Sequence, residues 1–125
     1  MDKDKINDLS KKIIGIAIEI HKSLGPGFTE KIYQQALAHE FKKAGLRFIE
    51  QATVRVKYKD LDLGNQRIDF LVEDEIILEL KAVNTMITTH QAQLLSYLKT
   101  SNKKLGLLLN FAKPILEIKR VVNKL

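Results

Sequence analysis

Asp69, Glu79 and Lys81 are the residues whose types and spacing could do chemistry. They belong to "RIDFLVEDEIILELK" (67–81), an apolar run that nonetheless closes on Glu79-Leu80-Lys81. Side chains two apart on a strand share a face, so Glu79 and Lys81 would stand side by side. If residues 66–72 and 76–82 form a hairpin centred on Asp74, Val72 faces Ile76, Leu71 faces Ile77, and Asp69 faces Glu79. Directly opposed Cβ atoms lie roughly 4.5–5.5 Å apart. A slip of one residue would send Asp69 to the other side of the sheet. Buried charges need a partner or a ligand. Two arrangements would satisfy these: a half-exposed ion-paired face neutralised by Lys81, or a divalent cation on hard carboxylate oxygens, for which magnesium is suited.

The elements that must position these residues are legible in hydrophobic period. Ile6, Leu9, Ile13, Ile16, Ala17, Ile20 and Leu24 recur at three- and four-residue steps, which predicts a helix over 5–23. "LGPGF" (24–28) breaks it. A second helix is expected from Thr29 to Ala44, with Thr29 as N-cap and Gly45 as stop. The period then changes to two. "LRFIE" and "TVRVKY" read as separate strands, "KDLDLGN" as a turn, and "QRIDFLV" and "EIILELK" as two more strands. Residues 86–101 return to helical spacing, with Thr88 or Thr89 available as cap; "KLGLLLNF" and "PILEIKRVV" close the chain as strands. The order is α-α-β-β-β-β-α-β-β, a single mixed α/β domain over residues 1–125.

Composition narrows the function classes. With no cysteine, disulfides and thiolate metal sites are excluded. No run approaches the length of a membrane span, and the opening "MDKDKINDLSKK" lacks the order of a signal peptide, so a cytoplasmic setting without a membrane partner is expected. His21, His39 and His90 show no ligand spacing. The net charge of +6 is carried entirely by the last segment: Lys99, Lys103, Lys104, Lys113, Lys119, Arg120 and Lys124 stand there against Glu117 alone. That asymmetry suits a polyanion such as nucleic acid, and equally a solvated basic surface.

Two further segments carry chemistry-bearing side chains. In "GPGFTEKIYQQAL", Glu30 precedes Tyr33 and Leu37 by three and seven residues, which places it on their core-facing side, where the helix dipole also favours it. In "HQAQLLSYL", Gln93 and Tyr97 lie one helical turn apart, with His90 near the same line.

"GFTEKIY" (Gly27, Glu30, Tyr33) resembles the signature of the GxxExxY protein family, and the likeness continues through "RIDFLVEDEIILELKAV", "HQAQLLSYL" and "GLLLNFAKPILEIKRVV". That family is similar to a minimal PD-(D/E)xK nuclease with the restriction-endonuclease-like fold, a mixed central sheet flanked by helices. The resemblance implies Asp69 as the superfamily's aspartate, Glu79 and Lys81 as its E-x-K, Glu30 as the acidic residue of the preceding helix, and Gln93 and Tyr97 as the Q-x-x-x-Y helix motif of the RecB-like branch. Ile68 stands where the pattern has proline. It implies magnesium or manganese held by Asp69, Glu79 and the Leu80 carbonyl, with Glu30 joining through water, and hydrolysis of a phosphodiester activated by Lys81. The substrate implied is nucleic acid, DNA ahead of RNA, gripped by Lys99, Lys103, Lys104, Lys113, Lys119 and Arg120. A two-fold homodimer would match the two strands of a duplex. The alternative is a non-catalytic nucleic-acid-binding or adaptor module that keeps the fold.

Overall fold

Ile6, Leu9, Ile13, Ala17 and Ile20 are all buried, and their three- and four-residue steps make one apolar stripe along α1 (Lys3–Leu24). The structure, a computed structural model, describes residues 1–125. Asp2 caps α1, its side chain accepting from the Lys5 N–H at 2.9 Å. Helix α2 (Glu30–Lys43) buries Tyr33, Leu37, Ala38 and Phe41. Thr29 occupies its N-cap position without a side-chain cap hydrogen bond, and Gly45 follows Ala44 at a φ of 73°, the left-handed stop that glycine takes most readily.

Five strands follow: β1 (Phe48–Tyr58), β2 (Leu61–Val72), β3 (Ile76–Lys81), β4 (Leu105–Asn110) and β5 (Glu117–Val122). They form one sheet in that order, antiparallel except for β3 and β4. A parallel pair needs a crossover, and α3 (Thr88–Ser101) supplies it. The fold is thus the expected mixed α/β arrangement of a sheet between helices. It has one strand fewer than the expected order, because "LRFIE" and "TVRVKY" are parts of a single β1 joined through Gln51 at a φ of 50°. The expected turn over "KDLDLGN" shrinks to Lys59 and Asp60, since Leu61, Asp62 and Gly64 already pair with β1. Helix α3 begins at Thr88 with Ile87 at the cap position, and the His90 ring accepts from the Ile87 N–H at 3.4 Å, so neither threonine is the cap.

The two sheet faces have separate cores. Ile76, Leu78 and Leu80 of β3 join Phe70, Val72, Leu107 and Leu109 under α1 and α2. Ile77 of β3 and Leu108 of β4 pack instead against Leu94, Tyr97 and Leu98 of α3. Each fully buried Ile or Leu contributes roughly 1.5–3 kcal/mol, and β3 buries such residues on both faces, as a central strand does. Glu79 and Lys81, two and four residues past Ile77, lie on the α3 side.

Candidate active site

The site forms where β2 parts from β3. Their ladder runs Val72↔Ile76, Leu71↔Ile77 and Phe70↔Leu78. The turn that sets this register holds Glu73 and Asp74 at φ values of 52° and 55°. Asp69 and Glu79 come next in line, but no ladder pair follows. Instead the Asp69 carboxylate accepts the Leu80 N–H at Oδ2, 2.7 Å away, so a side chain satisfies a backbone donor that the ladder has released. Two residues earlier on β2 the packing changes sides: Phe70 belongs to the α1–α2 core, whereas Ile68 joins Ala52 and Val54 against α3. Asp69 therefore sits at the joint of a hairpin that turns over, half-buried and beside the end of β3.

Glu79 is 9% exposed, and its Oε1 is buried without any hydrogen-bond partner. Burial, and then the Asp69 carboxylate beside it, push the Glu79 carboxyl up to about 8; Lys81 pulls in the opposite direction. Lys81 is half-buried and takes no part in the molecule's five ion pairs. Its position is fixed from behind, because the Phe111 N–H donates to the Lys81 carbonyl at 2.9 Å. Fully buried Asn110, paired with Lys81 across β3 and β4, also grips the next turn through the Val83 N–H at 3.1 Å and the Val83 carbonyl at 2.9 Å. Tyr97 is 8% exposed, and burial together with the Glu79 and Asp69 charges pushes its hydroxyl pKa up. The tyrosine of α3 thus feels the same two carboxylates. Gln93 lies one turn towards the helix start and is exposed.

Glu30 does not take the core-facing place expected of it. It is exposed and makes no ion pair, because Tyr33 fills the space under the first turn of α2, donating its hydroxyl to the Gly25 carbonyl at 2.6 Å and accepting from the Phe28 N–H. The α2 side chain that leads to the site is Gln34, one turn on. It accepts from Gln51 Nε2 at 2.9 Å, and the same nitrogen donates to Asp69 Oδ1 at 3.3 Å. Gln34 and Gln51 carried no sequence signal, since their role depends on a left-handed backbone that composition does not reveal.

The basic residues of 99–125 are scattered by the fold. Lys104 precedes the start of β4, where Leu105 pairs with Ile76, so it lies about 20 Å along the strands from Lys81. Lys103 is at that same far end and pairs with Asp74 at 3.1 Å, and Lys99 closes α3 nearby. Arg120 donates to Asn7 of α1, and Lys119 lies one residue along on the edge strand. Lys113, beyond the β4 end that meets Lys81, is at the site's end of the sheet. A cation not singled out before, Arg67, is exposed, free of ion pairs and two residues from Asp69 on β2. The "R-x-D" spacing of 67–69 was its only available sign.

A model of the PD-(D/E)XK nuclease superfamily matches residues 7–121. The chain belongs to that superfamily. Among solved structures, the crystal structure of SSO0001 superposes with a TM-score of 0.60 at 16% identity, over 76% of this chain and 50% of that one. The two share a fold, and this chain spans half the length of SSO0001. Comparison with curated proteins gave no match. For a PD-(D/E)XK domain the donor set here is lean: Asp69 and Glu79 are not joined by a third histidine or carboxylate into a larger cluster. Two carboxylates with a buried, unpartnered oxygen between strand ends nonetheless fit a hard divalent ion, which would supply the partner that Glu79 Oε1 lacks.

Proposed function

We propose that the protein is a divalent-metal-dependent nuclease whose site is Asp69, Glu79 and Lys81. The observation that carries this reading is the buried Glu79 Oε1 without a hydrogen-bond partner, beside Asp69. An orphaned carboxylate oxygen is costly, and a purely structural ion pair would have used Lys81 to relieve it. Asp69 and Glu79 would hold magnesium or manganese, with the Leu80 carbonyl completing the set and Glu30 reaching it only through water. Bound there, the ion supplies the Lewis acidity that phosphodiester hydrolysis draws on. Lys81, unpaired and anchored through its own carbonyl, orients the attacking water and stabilises charge developing on the phosphoryl oxygens. The Tyr97 hydroxyl, held in its protonated form, is available as a donor to a phosphate oxygen, and Gln93 extends that line outward. The proposed substrate class is nucleic acid, with DNA placed ahead of RNA.

The test is cleavage of a mixed pool of DNA and RNA with magnesium or manganese, comparing wild type with Glu79→Gln and Lys81→Ala. Metal-dependent cleavage lost in both variants is the expected result. A wild type that binds nucleic acid and leaves it uncut at every metal concentration would support the adaptor reading instead.

A further inference from the structure

Gln51 faces Asp69 across the hairpin, between the pairs Glu50↔Phe70 and Ala52↔Ile68. Its φ of 50° lies in the left-handed region, which a non-glycine residue occupies at a cost and keeps only where its surroundings hold it there. The side chain shows what is gained. Its Nε2 donates to Asp69 Oδ1 at 3.3 Å and to Gln34 Oε1 at 2.9 Å, and Gln34 donates in turn to Glu50 Oε1 at 3.2 Å. An ionised carboxylate only accepts, so the NH₂ end of the amide must face Asp69; its two protons serve both acceptors.

We infer that Gln51 is a positioning residue for Asp69. A carboxylate held through one oxygen can rock about its bond. Asp69 is held through both, Oδ2 by the Leu80 N–H and Oδ1 by Gln51, which fixes the plane of the group. The carboxylate's other electron pairs are then left for the ion of the metal reading. Gln34 anchors the amide to α2, so the strained residue couples a helix on one face of the sheet to a ligand at the strand joint. This inference rests on the metal reading above. Outer partners of ligating carboxylates commonly matter 10–100-fold for metal affinity.

The experiment is a calorimetric titration of manganese into wild type, Gln51→Gly, Gln51→Asn and Gln34→Ala, with a thermal melt of each metal-free protein. Glycine adopts this φ without steric cost, so relief of strain offsets its extra chain entropy and the melting temperature should stay close to wild type. Manganese affinity should nonetheless fall about 10–100-fold. Asparagine tolerates the same backbone and is one methylene too short to reach both acceptors, so it should bind like glycine. Gln34→Ala leaves the β1 backbone untouched and should cost a smaller part of the affinity; if Gln51→Gly fails to fold, this variant and Gln51→Asn decide. Wild-type affinity in the folded Gln51 variants, with or without a lowered melting temperature, overturns the positioning role alone. A wild type that binds no manganese overturns the metal reading and this role with it.

Discussion

Glu79 couples folding to protonation. Its carboxyl stands at about 8 in the folded chain, against an ordinary value of 4.5. Between those values the folded chain retains a proton that the unfolded chain has released, so stability falls as pH rises through that window. The contribution is complete below about 4.5 and gone above about 8. We expect metal-free wild type to lose about 2–4 kcal/mol of stability from this group between pH 5 and pH 9. Glu79→Gln, which cannot ionise, should flatten that slope and exceed wild type in stability at pH 9. Urea unfolding at both pH values measures it; parallel slopes in the two proteins would mean that the carboxyl is not strained. The nearness of Asp69 to Glu79 was legible in the sequence because a hairpin turn centred on Asp74 fixes register by counting, although the ladder itself stops at Phe70↔Leu78. Gln51 was not, since nothing in an uninterrupted "IEQATV" announces a left-handed residue inside a strand.

Among the elements, α3 is held against the sheet at a point with no slack. A Cβ built on Gly106 of β4 would meet the side chain of Leu94 at 2.8 Å, and Leu94 is fully buried. Glycine at 106 is therefore a spacing device, which lets α3 and its Tyr97 approach β3 and β4 closely. We expect Gly106→Ala to cost about 1–3 kcal/mol through overpacking. Trimming its neighbour should recover part of that, so the double variant Gly106→Ala/Leu94→Ala should be less unstable than the sum of the single ones. A double-mutant cycle by chemical denaturation measures the coupling, and strict additivity would show that α3 had moved aside freely. The helix itself was legible from its three- and four-residue apolar steps, but its start was not. Thr88 and Thr89 carry the usual capping side chains, yet the helix begins at Thr88 with Ile87 at the cap position, and the ring of His90 reaches back to accept from the Ile87 N–H.

For the whole molecule, net charge and charge placement say different things. The +6 excess belongs to the last segment of the chain, yet Lys99, Lys103 and Lys104 gather at the end of the sheet remote from Lys81. Arg67, Lys81 and Lys113 instead stand at the end of the sheet where the proposed site lies. Nucleic-acid affinity should fall steeply with salt whichever cations are used. Charge reversal of Arg67 and Lys113 should weaken binding of all sequences alike and flatten that salt dependence by about two charges. Reversal of Lys103 and Lys104 should do less, because Lys103 is already neutralised by Asp74. Fluorescence anisotropy over a salt series distinguishes the two; a larger loss for Lys103 and Lys104 would place the nucleic acid along the far end. A linear tally of charge could not separate these groups, since the parallel β3–β4 pairing carries one end of each strand away from the other.

The hydrogen bond from the Leu80 N–H to Asp69 gives the molecule a built-in spectroscopic reporter. Other amides of a central strand owe their protection from solvent exchange to neighbouring backbone, and so report only on opening of the sheet. This one answers to a carboxylate of the proposed site. Its proton resonance should shift when magnesium draws charge from Asp69, and in Asp69→Ala it should exchange much faster while Leu78 and Ile77 stay protected. Amide exchange followed residue by residue would thus read the state of the site in solution, without a substrate.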